Sequence, residues 1–262
     1  MTISSLEIAL VIICVVFGSA LLGLLIGRRL PPHHTGSETK GVVSVSMAIV
    51  GTMSALVIGF LISNASSSFN ARNGAVAHLS SDIIRLDMLL RRYGPEAEAA
   101  RNALQRYTTM KFDDLFSNGA GRKSNVDNPA TLKILDDVQD RILVLKPVDD
   151  RQRWLGAQAL QLAAEMSEAR SLLVQQNESS LPLPFLGAVM LWLAVVFASF
   201  GLFAPRNATA IIALFFCAFA ISAAIKLILD MDTPFGGDIR LSRPPIHISS
   251  DPLRHAIEAI RQ

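Results

Sequence analysis

Residues 41–71 read GVVSVSMAIVGTMSALVIGFLISNASSSFNA and hold no Lys, Arg, Asp or Glu over 31 positions. An α-helix rises ~1.5 Å per residue and needs ~20 apolar residues to cross the hydrocarbon core of a bilayer. The run exceeds one crossing and changes character along its length, from MAIVGTMSALVIGFL to the polar ISNASSSFNARN. A helix that leaves the membrane and continues into water is expected, with a kink near Asn73-Gly74. Beyond Phe69, the spacing of Ile83, Leu86, Leu90 and Tyr93 is the three-four repeat of a helix packed on other helices. Gly94-Pro95 ends it.

Three further stretches, residues 8–27, 179–205 and 207–225, are charge-free over 20, 27 and 19 positions. Four such windows in one chain predict an integral membrane protein with helices near Leu6–Ile26, Leu183–Phe203 and Ala208–Leu229 beside the one quoted above. Met1 to Glu7 has no basic side chain and the following apolar core is of full spanning length, so a retained first helix is expected rather than a cleaved signal. By contrast, residues 70–180 carry 15 basic and 15 acidic side chains, 30 of the chain's 46 charges. That segment reads as an aqueous helical bundle. The expected fold is therefore all-α, with four transmembrane helices and a helical-bundle soluble domain inserted between the second and third. Residues 1–69 hold helices 1 and 2, residues 70–180 the bundle, residues 181–230 helices 3 and 4. The tail, 231–262, ends in a short amphipathic helix with Leu253, Ile257 and Ile260 on one face.

A net charge of +2 and a neutral soluble segment argue against a nucleic-acid partner. Cys14 and Cys217 fall in apolar runs and read as small apolar filler. No phosphate loop, Cys-x-x-Cys, His-Glu-x-x-His or Gly-x-Ser-x-Gly appears, so an enzyme is not expected and neither a cofactor nor a metal is assigned. His33-His34 read as solvated loop residues. The pairs Asp113-Asp114, Asp136-Asp137 and Asp149-Asp150 read as caps or solvated faces, because no Gly-containing calcium loop surrounds them.

The chemistry-bearing candidates lie on the second helix. Gly51, Ala55, Gly59, Ser63 and Ser67 recur every four residues. Such a strip suits a pore lining, where hydroxyls replace ion hydration, and equally a seam for close helix packing. Leu56, Ile58 and Phe60 beside it are candidates for a hydrophobic constriction. The first helix has its own small-residue face, Ser19, Gly23 and Gly27, expected to pack tightly on a neighbour. Lys226, four residues before Asp230, is either a snorkelling cation or a charge on an ion path. Pro234, Phe235, Gly236 and Gly237 form an expected anchoring loop.

Several segments resemble the bacterial bestrophin-like domain family: RRLPPHH (28–34), ALVIGFLISNASSSF (55–69), SSDIIRLDMLLRRYGPEAEAARNALQRY (80–107), MDTPFGGDIRLS (231–242) and ISSDPLRHAI (248–257). The resemblance runs in order over nearly the whole chain. It implies kinship with bestrophins, pentameric anion channels with four membrane helices per subunit, a second helix lining the pore and a constriction of hydrophobic residues. No neck or calcium-site residue of that family matches residue by residue, and none is carried over. The resulting expectation is a homo-oligomer in the bacterial inner membrane, with the bilayer, further copies and small ions as partners. The alternative is a non-conducting scaffold or sensor whose helical domain docks a protein. On orientation, Arg28, Arg29, Lys40 and Arg206 place the short loops in the cytoplasm by the positive-inside rule, whereas the resemblance implies the opposite.

Overall fold

The computed structural model describes residues 5–31, 36–116, 125–176, 183–205, 207–232 and 248–261. All regular structure among them is helical: α1 (Ser5–Ile26), α2 (Ser37–Tyr93), a 3-10 turn (Pro95–Ala97), α3 (Glu98–Phe116), α4 (Pro129–Leu143), α5 (Asp150–Gln176), α6 (Leu183–Phe203), α7 (Ala208–Asp232) and α8 (Asp251–Arg261). Four of these, α1, α2, α6 and α7, are long and apolar enough to cross a membrane. The chain is a helical membrane protein. The fourth such helix extends past the expected Leu229 to Asp232, and α2 is one uninterrupted element through Asn73-Gly74.

The residues divide into two compact units. The first holds α1, α2 as far as Ser67, α6 and α7. Its main core joins Ile12, Val16 and Ala20 of α1 to Val189, Leu193 and Phe197 of α6 and to Ala218 and Ile225 of α7. Phe17 and Phe215 meet edge-to-face at 5.4 Å, and the Ser222 hydroxyl donates to the Ala9 carbonyl at 2.6 Å. The expected tight packing of α1 is against α6. A Cβ at Gly23 would lie 1.9 Å from the Ala198 carbonyl oxygen, and one at Gly201 would lie 1.9 Å from that of Ala20. In lipid, where apolar burial gains nothing from water release, such backbone-to-backbone contact is a main source of helix association.

The second unit contains the rest of α2, together with α3, α4, α5 and α8. Leu79, Ile83, Leu86 and Leu90 of α2 enter one core with Leu104 and Tyr107 of α3, Leu135 and Val138 of α4, Met166 and Leu173 of α5 and Leu253 and Ile260 of α8. Gly94, at φ 129°, occupies the region that favours glycine and turns the chain out of α2 into the Pro95 turn. Asn128 caps α4 by accepting from the Ala130 N–H, and Asp149 accepts from the Gln152 N–H at 2.6 Å at the start of α5. Asp137 pairs with Arg106 and Arg141. Asp149 is thus a cap as expected, while Asp137 and Asp150 form ion pairs and Asp114 accepts from the Asn128 amide at 2.7 Å and from the Thr131 hydroxyl.

Three polar groups tie this unit together. Asp87, itself buried, pairs with Arg91 at 2.6 Å and Arg101 at 2.9 Å. Arg91 and Gln105 then donate to the Ala259 and Ile260 carbonyls, closing the end of α8. The Lys111 ammonium, fully buried, donates to the Val126 carbonyl at 2.9 Å. Burial, aided by the Arg170 cation, lowers its pKa to about 8 against the opposing pull of Asp114 and Asp127. Arg170 pairs with Asp127 at 2.7 Å. Tyr107 lies nearby in the core, and burial raises its phenol above the ordinary range.

Candidate pore-lining helix

The N-terminal half of α2 has few partners within its own unit. Leu61 and Ala65 meet Ile228 of α7, with Val57 and Ile58 packed beside them, and Ser54 is buried on the same side. This fixes the helix phase. Ala55, Gly59, Ser63 and Ser67 are all exposed, and Gly51 is half-buried. A Cβ at Gly51 or Gly59 would meet nothing within 4 Å. From Ala55 onward the strip that the sequence singled out is therefore on the exposed side of α2 among the described residues.

The three constriction candidates separate. Leu56 is 69% exposed and Phe60 59%, one turn apart on the open side. Ile58, by contrast, points inward and packs with the Leu61 cluster. A rotation of ~100° per residue puts position 58 nearly opposite the midpoint of 56 and 60, so no single face holds all three.

The sequence pattern also holds a larger feature that the small-residue strip obscured. Val42, Val45, Ile49, Met53, Leu56 and Phe60 are all exposed and follow one another at intervals of three or four. They form an apolar ridge along one face of α2. Their period was legible, but the strip crosses the ridge and was the stronger signal of the two. Because a four-residue step overshoots a turn by ~40°, the strip drifts around the helix. Ala55 and Gly59 flank the ridge, Gly51 lies two turns before Ile58 on the inward-facing side, and Ser63 and Ser67 continue the line of Leu56 and Phe60.

The hydroxyls near the strip are partly engaged by their own helix. Ser46, Thr52 and Ser54 donate to the Val42, Ala48 and Val50 carbonyls at 2.8–2.9 Å. Their protons are thus engaged by the backbone, and of the three only Ser46 and Thr52 are exposed. Lys226 is ion-paired with Asp230 one turn on, and the Asp230 carboxylate is 4% exposed. The charge of Lys226 is thereby balanced within α7. His33-His34 and the Pro234–Gly237 loop lie outside the described residues, and no cluster of three metal-ligating side chains occurs among the described ones.

The model of the Bestrophin-like domain matches residues 14–246, most of the chain. The chain belongs to that family. Among solved structures, a mutant of a bacterial bestrophin homologue from Klebsiella pneumoniae is similar at a TM-score of 0.64 and 14% identity, over 94% of this chain and 97% of that one. A second, a point mutant of a membrane protein, is similar at 0.64 and 13% identity, over 95% and 97%. At such identities the likeness is one of fold. No curated protein matches.

Proposed function

We propose that this Bestrophin-like protein is an ion channel of the bacterial inner membrane, formed by several copies arranged around an axis lined by α2. The observation that carries this reading is the open side of α2. A membrane helix with a small-residue strip from Ala55 onward and a large apolar ridge, both on its exposed side, is shaped for contacts beyond the monomer. Ala55 and Gly59 form the seam against the next copy, where a methyl group and a bare Cα admit close backbone approach. Leu56 and Phe60 face the axis as the constriction, and Ser63 and Ser67 supply the wetted segment beside it. The helical bundle inserted between the second and third spans is the aqueous part of each subunit. Five copies is the number that kinship with bestrophins implies. Ile58 has no part in the constriction, and Lys226 serves Asp230 rather than the ion path. Catalysis is not part of the proposal.

The test is flux from liposomes reconstituted with the purified full chain, in parallel with its mass by light scattering in mild detergent. An oligomer that passes small ions above the empty-vesicle leak supports the reading. A monomer overturns it. An oligomer that passes none across a range of pH, salt and calcium favours the scaffold or sensor.

A further inference from the structure

Where α1 ends, the chain places two cations directly above an apolar wall. The span closes at Ile26, and Arg28 and Arg29 follow on a tight turn whose N–H groups donate to the Leu25 and Ile26 carbonyls at 3.1 and 2.9 Å. The turn is anchored from behind. A Cβ at Gly27 would lie 2.7 Å from the Leu202 carbonyl oxygen, one turn beyond the Gly23 contact, so α6 holds the backbone that carries both guanidiniums. In front, Leu22, Leu25 and Ile26 are exposed and, with Arg28 and Arg29, line a cleft of about 340 Å³. Neither arginine is ion-paired with a carboxylate among the described residues.

We propose that this cleft binds an anionic phospholipid, its phosphate held by Arg28 and Arg29 and an acyl chain lying along Leu22, Leu25 and Ile26. Depth selects the occupant. The end of an apolar span sits at the headgroup level of the bilayer, where phosphate is abundant and a guanidinium fork matches its oxygens in a bidentate manner. Two adjacent arginines favour a net negative headgroup over a zwitterionic one. The helix C-terminus itself disfavours anions, but the Leu25 and Ile26 carbonyls are already occupied by the turn. Free phosphate would satisfy the cations and leave the apolar wall unused. The assignment is independent of whether the protein conducts.

The test is native mass spectrometry of the delipidated full chain in mixed micelles of equal phosphatidylglycerol and phosphatidylcholine. The wild type is expected to retain phosphatidylglycerol by about tenfold or more over phosphatidylcholine. Arg28→Gln with Arg29→Gln removes that preference, while Lys133→Gln with Arg151→Gln, an equal charge change on α4 and α5, leaves it intact. Equal retention of the two lipids by the wild type overturns the proposal, as does an undiminished preference in the double arginine variant. Displacement of the lipid by millimolar inorganic phosphate also overturns it, since the site would then be one for a bare anion.

Discussion

Helices α1 and α2 carry the same sequence device, small residues at four-residue spacing, and the structure gives them opposite fates. On α1 the strip is filled: Gly23 and Gly27 lie against the backbone of α6, and Gly201 of α6 lies against that of α1. On α2 the strip is bare, with open space beside Gly51 and Gly59. A small-residue ladder thus marks a helix surface fit for close approach. Its partner is decided elsewhere, by whether another helix of the chain brings a matching groove to the same height.

The comparison is broken most forcefully by adding one methyl group to the filled strip. Gly23→Ala and Gly201→Ala each place a carbon where a backbone carbonyl oxygen stands, and the helix backbones must separate. The expected cost exceeds about 3 kcal/mol, the upper end of ordinary overpacking, because no flexible side chain can yield. Loss of a monodisperse peak in detergent and a large fall in unfolding temperature would show it. Normal behaviour of both variants would mean that α1 and α6 do not pack at this distance.

Gly59→Leu is the counterpart on the open strip. Among the described residues nothing lies within 4 Å of a Cβ there, so the fold of the single subunit should survive, with secondary structure by circular dichroism unchanged. The seam with the next copy does not survive. Light scattering should return a smaller particle than the wild type, and liposome flux should fall to the empty-vesicle level. A variant that assembles and conducts as the wild type does would remove Gly59 from the seam.

The division among Leu56, Ile58 and Phe60 sharpens the picture within one turn of α2. Phe60→Ala trims a side chain on the open side and should raise flux several-fold while leaving stability nearly unchanged. Ile58→Ala removes packing from the cluster of Leu61, Ala65 and Ile228 and should cost ~1–2 kcal/mol, below the fully buried range because the residue is half-buried. Flux per assembled channel should then stay at the wild-type level. The reverse pattern would mean that the helix is rotated by about half a turn.

The four membrane helices were legible because a water-soluble chain seldom goes without charge over a full spanning length, let alone four times. The end of α2 was legible from Gly94-Pro95, and the helices after it followed from their periodicity, with Asp149 read as a cap, whereas the Asn128 cap was not singled out. The phase of α2 in the membrane was not legible. It depends on Leu61 and Ala65 meeting Ile228, a contact between positions over 160 residues apart with no pattern that singles them out from other apolar residues. For the same reason Ile58 was grouped with Leu56 and Phe60. The pairing of Lys226 with Asp230 could be read from their spacing, whereas the burial of Asp230 is set by the packing of α7.

The smallest effect gives the closest comparison, since the same substitution that disrupts α1 should be mild on α2. Glycine inside a helix costs ~0.5–1 kcal/mol relative to alanine, chiefly because it has more freedom to lose on folding. At Gly23 the clash overwhelms that gain. At Gly59 no atom of the described residues lies within 4 Å of the added methyl group, so Gly59→Ala should stabilise the dissociated subunit and raise its unfolding midpoint by about 1–4 °C in a detergent that separates the copies. In a mild detergent that preserves the assembly, the added methyl group meets the neighbouring copy across the seam. There the midpoint should fall relative to the wild type. A change of sign between the two detergents therefore identifies Gly59 as a contact between copies. A rise in both would place it against lipid or the axis, moving the seam to another side of α2.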